Sequence, residues 1–197
     1  MKVKKIVFAT GNHNKLEEVK AAIDCFEIVG LREIKIKEEI PETGTSIKEN
    51  ALQKAKYVHE KTGLNCFSDD TGLEIEALNN RPGVYSAMYA GADCIAENNM
   101  QKVLKELSGI HNRKAKFKTV IALILNGKEY YFEGAVNGNI LKEKTGSDGF
   151  GYDPIFKPEG YEETFAQMSV ELKNKISHRG IAVKKLVAFL NHTDLDL

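Results

Sequence analysis

Ser68-Asp69-Asp70-Thr71-Gly72 places two adjacent carboxylates at the end of a short strand, Cys66 to Ser68. Adjacent acids at the edge of a sheet suit Mg²⁺, which takes oxygen ligands and keeps several waters. Successive strand residues point to opposite faces, so the two acids are expected to divide the work. One would meet metal or activate water while the other orients the loop. An Asx-turn is the purely structural alternative. Glu42, in the loop Pro41-Glu42-Thr43-Gly44, can supply a second carboxylate to the metal.

Three further segments carry chemistry. Thr10-Gly11-Asn12-His13-Asn14-Lys15 stands between an apolar run and a helical pattern. Exposed N–H groups and the dipole at a helix start attract anions, and Lys15 can reach a phosphate. No GxxxxGK[ST] loop is present, and a plain capped turn is the alternative. In Gly149-Phe150-Gly151-Tyr152-Asp153-Pro154 the flanking glycines leave Phe150 able to stack on a base, and Asp153 can accept from ring N–H groups. A packed aromatic in a tight turn is the alternative there. Lys173 and Ser177-His178-Arg179-Gly180 straddle an expected helix break near Ser177 that can aim Lys173, His178 and Arg179 together. Lysine offers a phosphate a point charge, and arginine offers a planar fork. A solvated basic junction is the alternative, and is the preferred reading for Lys175, Lys184 and Lys185.

These residues need a scaffold. Ile6 to Ala9 reads as a buried first strand, and Leu16, Val19, Ile23 and Phe26 mark a helix from Lys15, with Glu17, Glu18, Lys20 and Asp24 on its outer face. Ser46 and Glu49 form a capping box for a helix with Ile47, Ala51, Ala55 and Val58 inward, ending at Gly63. Leu73, Ile75 and Ala77 alternate with acids as a separate, half-buried strand, and Asn79 to Gly83 reads as a loop. A helix follows over roughly Ile95 to Leu107, with Val103, Leu104 and Leu107 inward. Phe117 to Leu125 and Glu129 to Val136 read as strands joined by the hairpin signal Asn126-Gly127. Pro154 to Phe156 reads as a short strand, Ser169 as a cap, and Val183, Leu186, Val187 and Leu190 as the buried face of the last helix. The expectation is a single α/β domain over residues 1–197 with a mixed sheet.

Composition narrows the function. Lys plus Arg and Asp plus Glu each number 28, so the formal net charge of zero argues against a nucleic-acid partner. Cys25, Cys66 and Cys94 are odd in number and widely spaced, which disfavours a disulfide framework or a zinc site. The five histidines form no HxH or HExxH arrangement. The apolar run near the N-terminus is too short for a signal segment, and no stretch approaches a membrane span. A cytoplasmic protein is expected.

Taken together, TGNHNK at 10–15, SDDTGL at 68–73, PGVYS at 82–86, GFGYDPIF at 149–156 and KNKISHRG at 173–180 resemble the inosine triphosphate pyrophosphatase family, the XTP/dITP diphosphatases. The resemblance covers nearly the whole chain in family order. It implies an elongated α/β fold with a long twisted mixed sheet flanked by helices, two lobes and a central cleft. It implies Mg²⁺-dependent hydrolysis of deaminated purine triphosphates such as ITP, dITP and XTP to a monophosphate and pyrophosphate, by a homodimer. By the same resemblance Thr10, Gly11, Asn12, His13, Asn14 and Lys15 would hold the triphosphate. Asp70 would be the metal-linked base, with Glu42 sharing the Mg²⁺, Asp69 in support and Thr71 beside the substrate. Phe150 would stack on the purine within Gly151, Tyr152 and Asp153. Asp153, His178 and Arg179 would read its polar edge, and Lys173 would meet phosphate. Thr71, Met88 and Leu172 depart from common family residues, and Leu172 is expected on a solvated face. Rival readings are a pyrophosphatase for other altered nucleotides, a nucleotide sensor without turnover, and an RNA-binding module.

Overall fold

The computed structural model describes residues 5–24 and 26–192, so Cys25 lies outside the described residues. The strands are β1 (Lys5–Phe8), β2 (Glu27–Gly30), β3 (Cys66–Ile75), β4 (Arg81–Gly83), β5 (Lys114–Leu125), β6 (Lys128–Ile140) and β7 (Phe156–Pro158). The helices are α1 (His13–Ala22), α2 (Ile47–Thr62), α3 (Ala96–Glu106), α4 (Val170–Ile176) and α5 (His178–Asn191). The sheet runs β2-β1-β3-β5-β6-β7, with β4 added to β3. It is mixed: β1 pairs in parallel with β2 and β3, whereas β3–β4 and β6–β7 are antiparallel. The chain forms two compact units, one of residues up to Asp70, Thr119–Gly134 and from Arg179 on, the other of Thr71–Lys118 and Ala135–His178.

In the first unit the period-2 alternation of the strands sorts side chains between two cores. Ile6, Phe8, Phe67, Ile121 and Leu123 pack with Val19 of α1 and with Ala182, Val183, Leu186 and Leu190 of α5. Val7, Ala9, Cys66, Ala122 and Ile124 pack with Ala51, Ala55 and Val58 of α2. Phe8 and Phe67 stack across the β1–β3 pair at 4.6 Å, a geometry that adds about 0.5–1.5 kcal/mol beyond its buried area. In the second unit Phe117, Phe156 and Phe165 form an aromatic centre with Leu73, Ile75, Val103 and Leu107.

Local signals act as their chemistry dictates. Ser46 and Glu49 close the capping box of α2, and Gly63 ends that helix in the left-handed region at φ 68°. Asn126 and Gly127, at φ 50° and 74°, turn the chain from β5 into β6. Several boundaries differ from expectation. α1 begins at His13 and stops at Ala22, so Phe26 packs from outside the helix. β2 and β4 carried too short a pattern to register. Pro154, which has no N–H to give a ladder, sits in a 3-10 turn, Asp153–Ile155, and the strand starts at Phe156. Leu172 is half-buried and packs against the core rather than facing solvent, and Leu104 and Val187, expected inward, are likewise half-buried.

The largest departure concerns the acid pair. β3 is one ten-residue strand in place of two short ones, and its burial is nearly continuous. Asp69 and Asp70 therefore lie inside a strand and not at a strand end, just past the residues that β1 pairs, which reach Phe67.

Candidate functional site

In the first unit β1 leads through α1 to β2 on one side, and the chain then returns through α2 to β3 on the other. The carboxyl end of β1, level with Phe67 of β3, thus lies at a switch point in strand order, where open α/β sheets bind ligands. Thr10–Lys15 leaves β1 there. The Asn12 side chain caps α1 by accepting from the Lys15 N–H at 3.1 Å, and the Asn12 backbone N–H donates to Thr10 Oγ1 at 3.1 Å. A cap and an anion-attracting helix start are therefore the same object. A Cβ added at Gly11 would meet nothing within 4 Å, so the space over the loop is open. Gly11, Asn12, His13 and Asn14 are exposed, and Thr10 is half-buried.

The alternation of β3 sends its two aspartates to opposite faces. Asp69, on the α1/α5 face, accepts from Lys15 Nζ at 3.1 Å and from Arg179 Nε at 3.0 Å. Arg179 Nη1 also donates to Glu18 at 2.5 Å. Asp69 and Arg179 are 1% and 4% exposed, so these charges face one another out of water. Burial works to raise the Asp69 carboxyl, but Lys15, Arg179 and Lys54 outweigh it and hold it below the usual carboxylate range. Burial works against the Arg179 charge, and Asp69 and Glu18 overcome it and raise the guanidinium. Lys15 is lowered, chiefly by burial against the pull of Asp69. A carboxylate fixed between two cations is suited to holding Lys15 in place and ill suited to passing protons.

Asp70 faces α2. Asn50 Nδ2 donates to Asp70 Oδ2 at 3.3 Å. Lys54 Nζ lies 2.6 Å from Glu42 Oε1 and 3.9 Å from Asp70 Oδ1. Glu42 and Asp70 therefore converge on one positive point. Among the described residues no three His, Cys, Asp or Glu side chains are grouped to hold a metal. Mg²⁺ does not require such a group, since it commonly uses one or two carboxylates together with water and substrate phosphates. The pair fits Mg²⁺, with the Lys54 ammonium standing where a cation is favoured.

The second unit holds the glycine-rich segment. Asp153 accepts from the Phe150 N–H at 2.7 Å and from Lys173 Nζ at 2.7 Å. Gly149 lies at φ 74°, and a Cβ there would come within 2.3 Å of Asp153 Oδ2, so the turn requires glycine. The Lys173 ammonium lies 4.8 Å from the centroid of the half-buried Phe150 ring. Asp153 and Lys173 thus meet each other, and their contacts fix the Phe150 turn. Gly151, at φ 63°, has open space where a Cβ would be. Tyr152 is 5% exposed and donates its hydroxyl to the Ser86 carbonyl at 2.8 Å. The Ser86 hydroxyl accepts from the Leu73 N–H and donates to the Gly83 carbonyl, so PGVYS, Tyr152 and β3 are bound together structurally. Thr71 is half-buried and Met88 is 49% exposed. His178 is buried and stacks on Phe117 at 4.5 Å. The three cations around the break at Ser177 thus take separate partners: Lys173 goes to Asp153, His178 to Phe117 and Arg179 to Asp69.

Sequence reasoning missed Lys54, Asn50 and Glu18. Lys54 and Asn50 lie four apart on the core face of α2, and a polar pair at helical spacing among Ala51, Ala55 and Val58 was the available signal. Glu18 was assigned to the outer face of α1, yet it pairs with Arg179.

The Ham1 family model matches residues 6–189. A dITP/XTP pyrophosphatase of Flavobacterium johnsoniae is 51% identical over 96% of this chain and 99% of its own length. One of Porphyromonas gingivalis is 52% identical over 95% and 98%. Among solved structures, a HAM1 protein from Coxiella burnetii superposes with a TM-score of 0.88 at 37% identity, covering 97% of this chain and all of that one. The Staphylococcus aureus Ham1 protein gives 0.86 at 38% identity, covering 95% and 98%.

Proposed function

The chain belongs to the Ham1 family, and from that membership we propose how its residues carry out the family's chemistry. It is a nucleoside-triphosphate pyrophosphatase that hydrolyses non-standard purine nucleoside triphosphates. ITP, dITP and XTP are the proposed substrates, split between the α and β phosphates into a monophosphate and pyrophosphate.

One observation carries the reading: Glu42 and Asp70 meet around a single cationic point, the Lys54 ammonium. Glu42 and Asp70 would hold Mg²⁺, which when bound neutralises charge on the phosphate oxygens. Asp70 accepts the proton of the attacking water. The helix start, Lys15 and Lys54 attract the triphosphate, and Asn12 shapes the loop as its cap. Asp69 holds Lys15 and Arg179 in place and takes no proton. No Ser or Cys nucleophile is needed, because positioning and charge stabilisation suffice for this displacement.

In the second unit Phe150 stacks on the purine, and the Asp153–Lys173 pair keeps its turn in shape. His178 is our choice of donor toward the 6-oxo group, since an imidazole N–H can donate to a carbonyl oxygen. A donor at that position leaves the amino group of adenine facing another donor, and such mismatches discriminate strongly. Neutral net charge supports a small nucleotide rather than a nucleic acid as partner. The proposed setting is a cytoplasmic homodimer.

The test is ITP hydrolysis by Asp70→Asn and Glu42→Gln across a Mg²⁺ titration. Loss of the general base should lower kcat by about 10²–10⁴-fold, with ITP binding retained, and Glu42→Gln should raise the Mg²⁺ needed for half-maximal rate. Near-normal kcat in Asp70→Asn would remove that residue from its role.

A further inference from the structure

We propose that Asn50 is a positioning residue that couples the loop bearing Glu42 to Asp70 and so sets the separation of the two carboxylates. Its side chain is 4% exposed and engaged at both ends. Oδ1 accepts from the Gly44 N–H at 2.7 Å, and Nδ2 donates to Asp70 Oδ2 at 3.3 Å. One rigid amide therefore touches both the loop two residues after Glu42 and the acid on β3.

The loop is built to reach it. A Cβ at Gly44 would come within 2.8 Å of Asn50 Oδ1 and 2.6 Å of Glu49 Cβ, so only glycine lets the backbone approach α2 this closely. The neighbouring loop residues are tied to the same helix. The Thr43 N–H donates to Gln53 Oε1 at 2.9 Å, and the Thr45 N–H donates to Glu49 Oε2 at 2.7 Å. Those bonds fix the loop on α2. The Asn50 amide carries that placement on to Asp70. The direction of its hydrogen bond matters too: Nδ2 is a donor, so it orients the Asp70 carboxylate without competing for a proton or a cation.

The inference rests on reading Glu42 and Asp70 as a metal pair, and the experiment separates the two ideas. Mn²⁺ binding is read by EPR, with α,β-methylene-ITP bound, for the wild-type protein, Asn50→Leu, Gly44→Ala and Glu42→Gln. Thermal unfolding is followed in parallel. Partners of ligating carboxylates are worth about 10–100-fold in metal affinity. Asn50→Leu and Gly44→Ala should each weaken Mn²⁺ by that factor, while Gly44→Ala still unfolds in a single cooperative transition. Gly44→Ala changes a loop, so it remains decisive if Asn50→Leu does not fold. Wild-type binding that Glu42→Gln weakens, with both other variants within twofold of wild type, would overturn the role of Asn50. Equal Mn²⁺ binding by wild type and Glu42→Gln would overturn the metal-pair reading itself.

Discussion

Replacing Asp69 with Asn tests whether the two adjacent aspartates do different jobs. The substitution keeps the shape of the side chain and removes its charge. Lys15 and Arg179, 3.1 and 3.0 Å away, then face an uncharged amide in a site where Asp69 was 1% exposed. Breaking a buried ion pair by removing one partner costs about 3–5 kcal/mol. For a chain of this size each kcal/mol moves the melting temperature by about 2–4 °C, so the fall should be about 6–20 °C. Because burial limits screening, the loss should persist at high salt. Its pH dependence follows from the lowered Asp69 carboxyl. A group depressed in the folded state contributes stability above its unfolded value, near about 3.9, and loses it as pH falls through the lower folded value. The gap between wild type and variant should therefore be constant from about pH 5 to 8 and close only in stronger acid. Thermal unfolding followed by circular dichroism over that range reads it. A fall under about 2 °C, or a gap that disappears at high salt, would refute the account of a dehydrated charge cluster.

Asp70→Asn should show the converse, with turnover lost and a melting temperature near that of wild type. Phe150→Ala should cost about 1–3 kcal/mol if the ring stacks on the base, read as a roughly 5- to 150-fold loss in kcat/KM for ITP; unchanged kinetics would leave the ring as packing alone. Burial pushes the Cys66 thiol up to about 12, whereas Cys94 is exposed. Iodoacetamide at neutral pH, followed by peptide mass mapping, should label Cys94 and spare Cys66 until the protein is unfolded, and equal labelling in the native state would contradict that burial.

Much of the site was legible because it depends on local geometry. The period of two in a strand was enough to separate Asp69 from Asp70, and the structure delivers one to α1 and α5 and the other to α2. The capping box at Ser46 and the turn at Asn126-Gly127 were readable for the same reason, since each lies within a few residues of chain. β3 was read as two pieces because Asp-Asp-Thr-Gly carries turn chemistry and poor strand propensity. The strand runs on because distant groups neutralise its charges, a tertiary effect that overrides local preference. Lys54 and Asn50 were hidden by the opposite circumstance: a polar residue on an apolar helix face looks like a lapse in the pattern until its partner on another element is known. The roles expected for Arg179 and Lys173 depended on which acid each would meet, and residue type and spacing do not determine that.

The products released from ITP, XTP, dITP, GTP and ATP with and without Mg²⁺ distinguish the proposed reaction from its alternatives. Pyrophosphate in equal yield with the monophosphate, from the first three alone and only with the metal, is the predicted result. Orthophosphate as the product, equal rates on all five, or undiminished rates without metal would contradict the account.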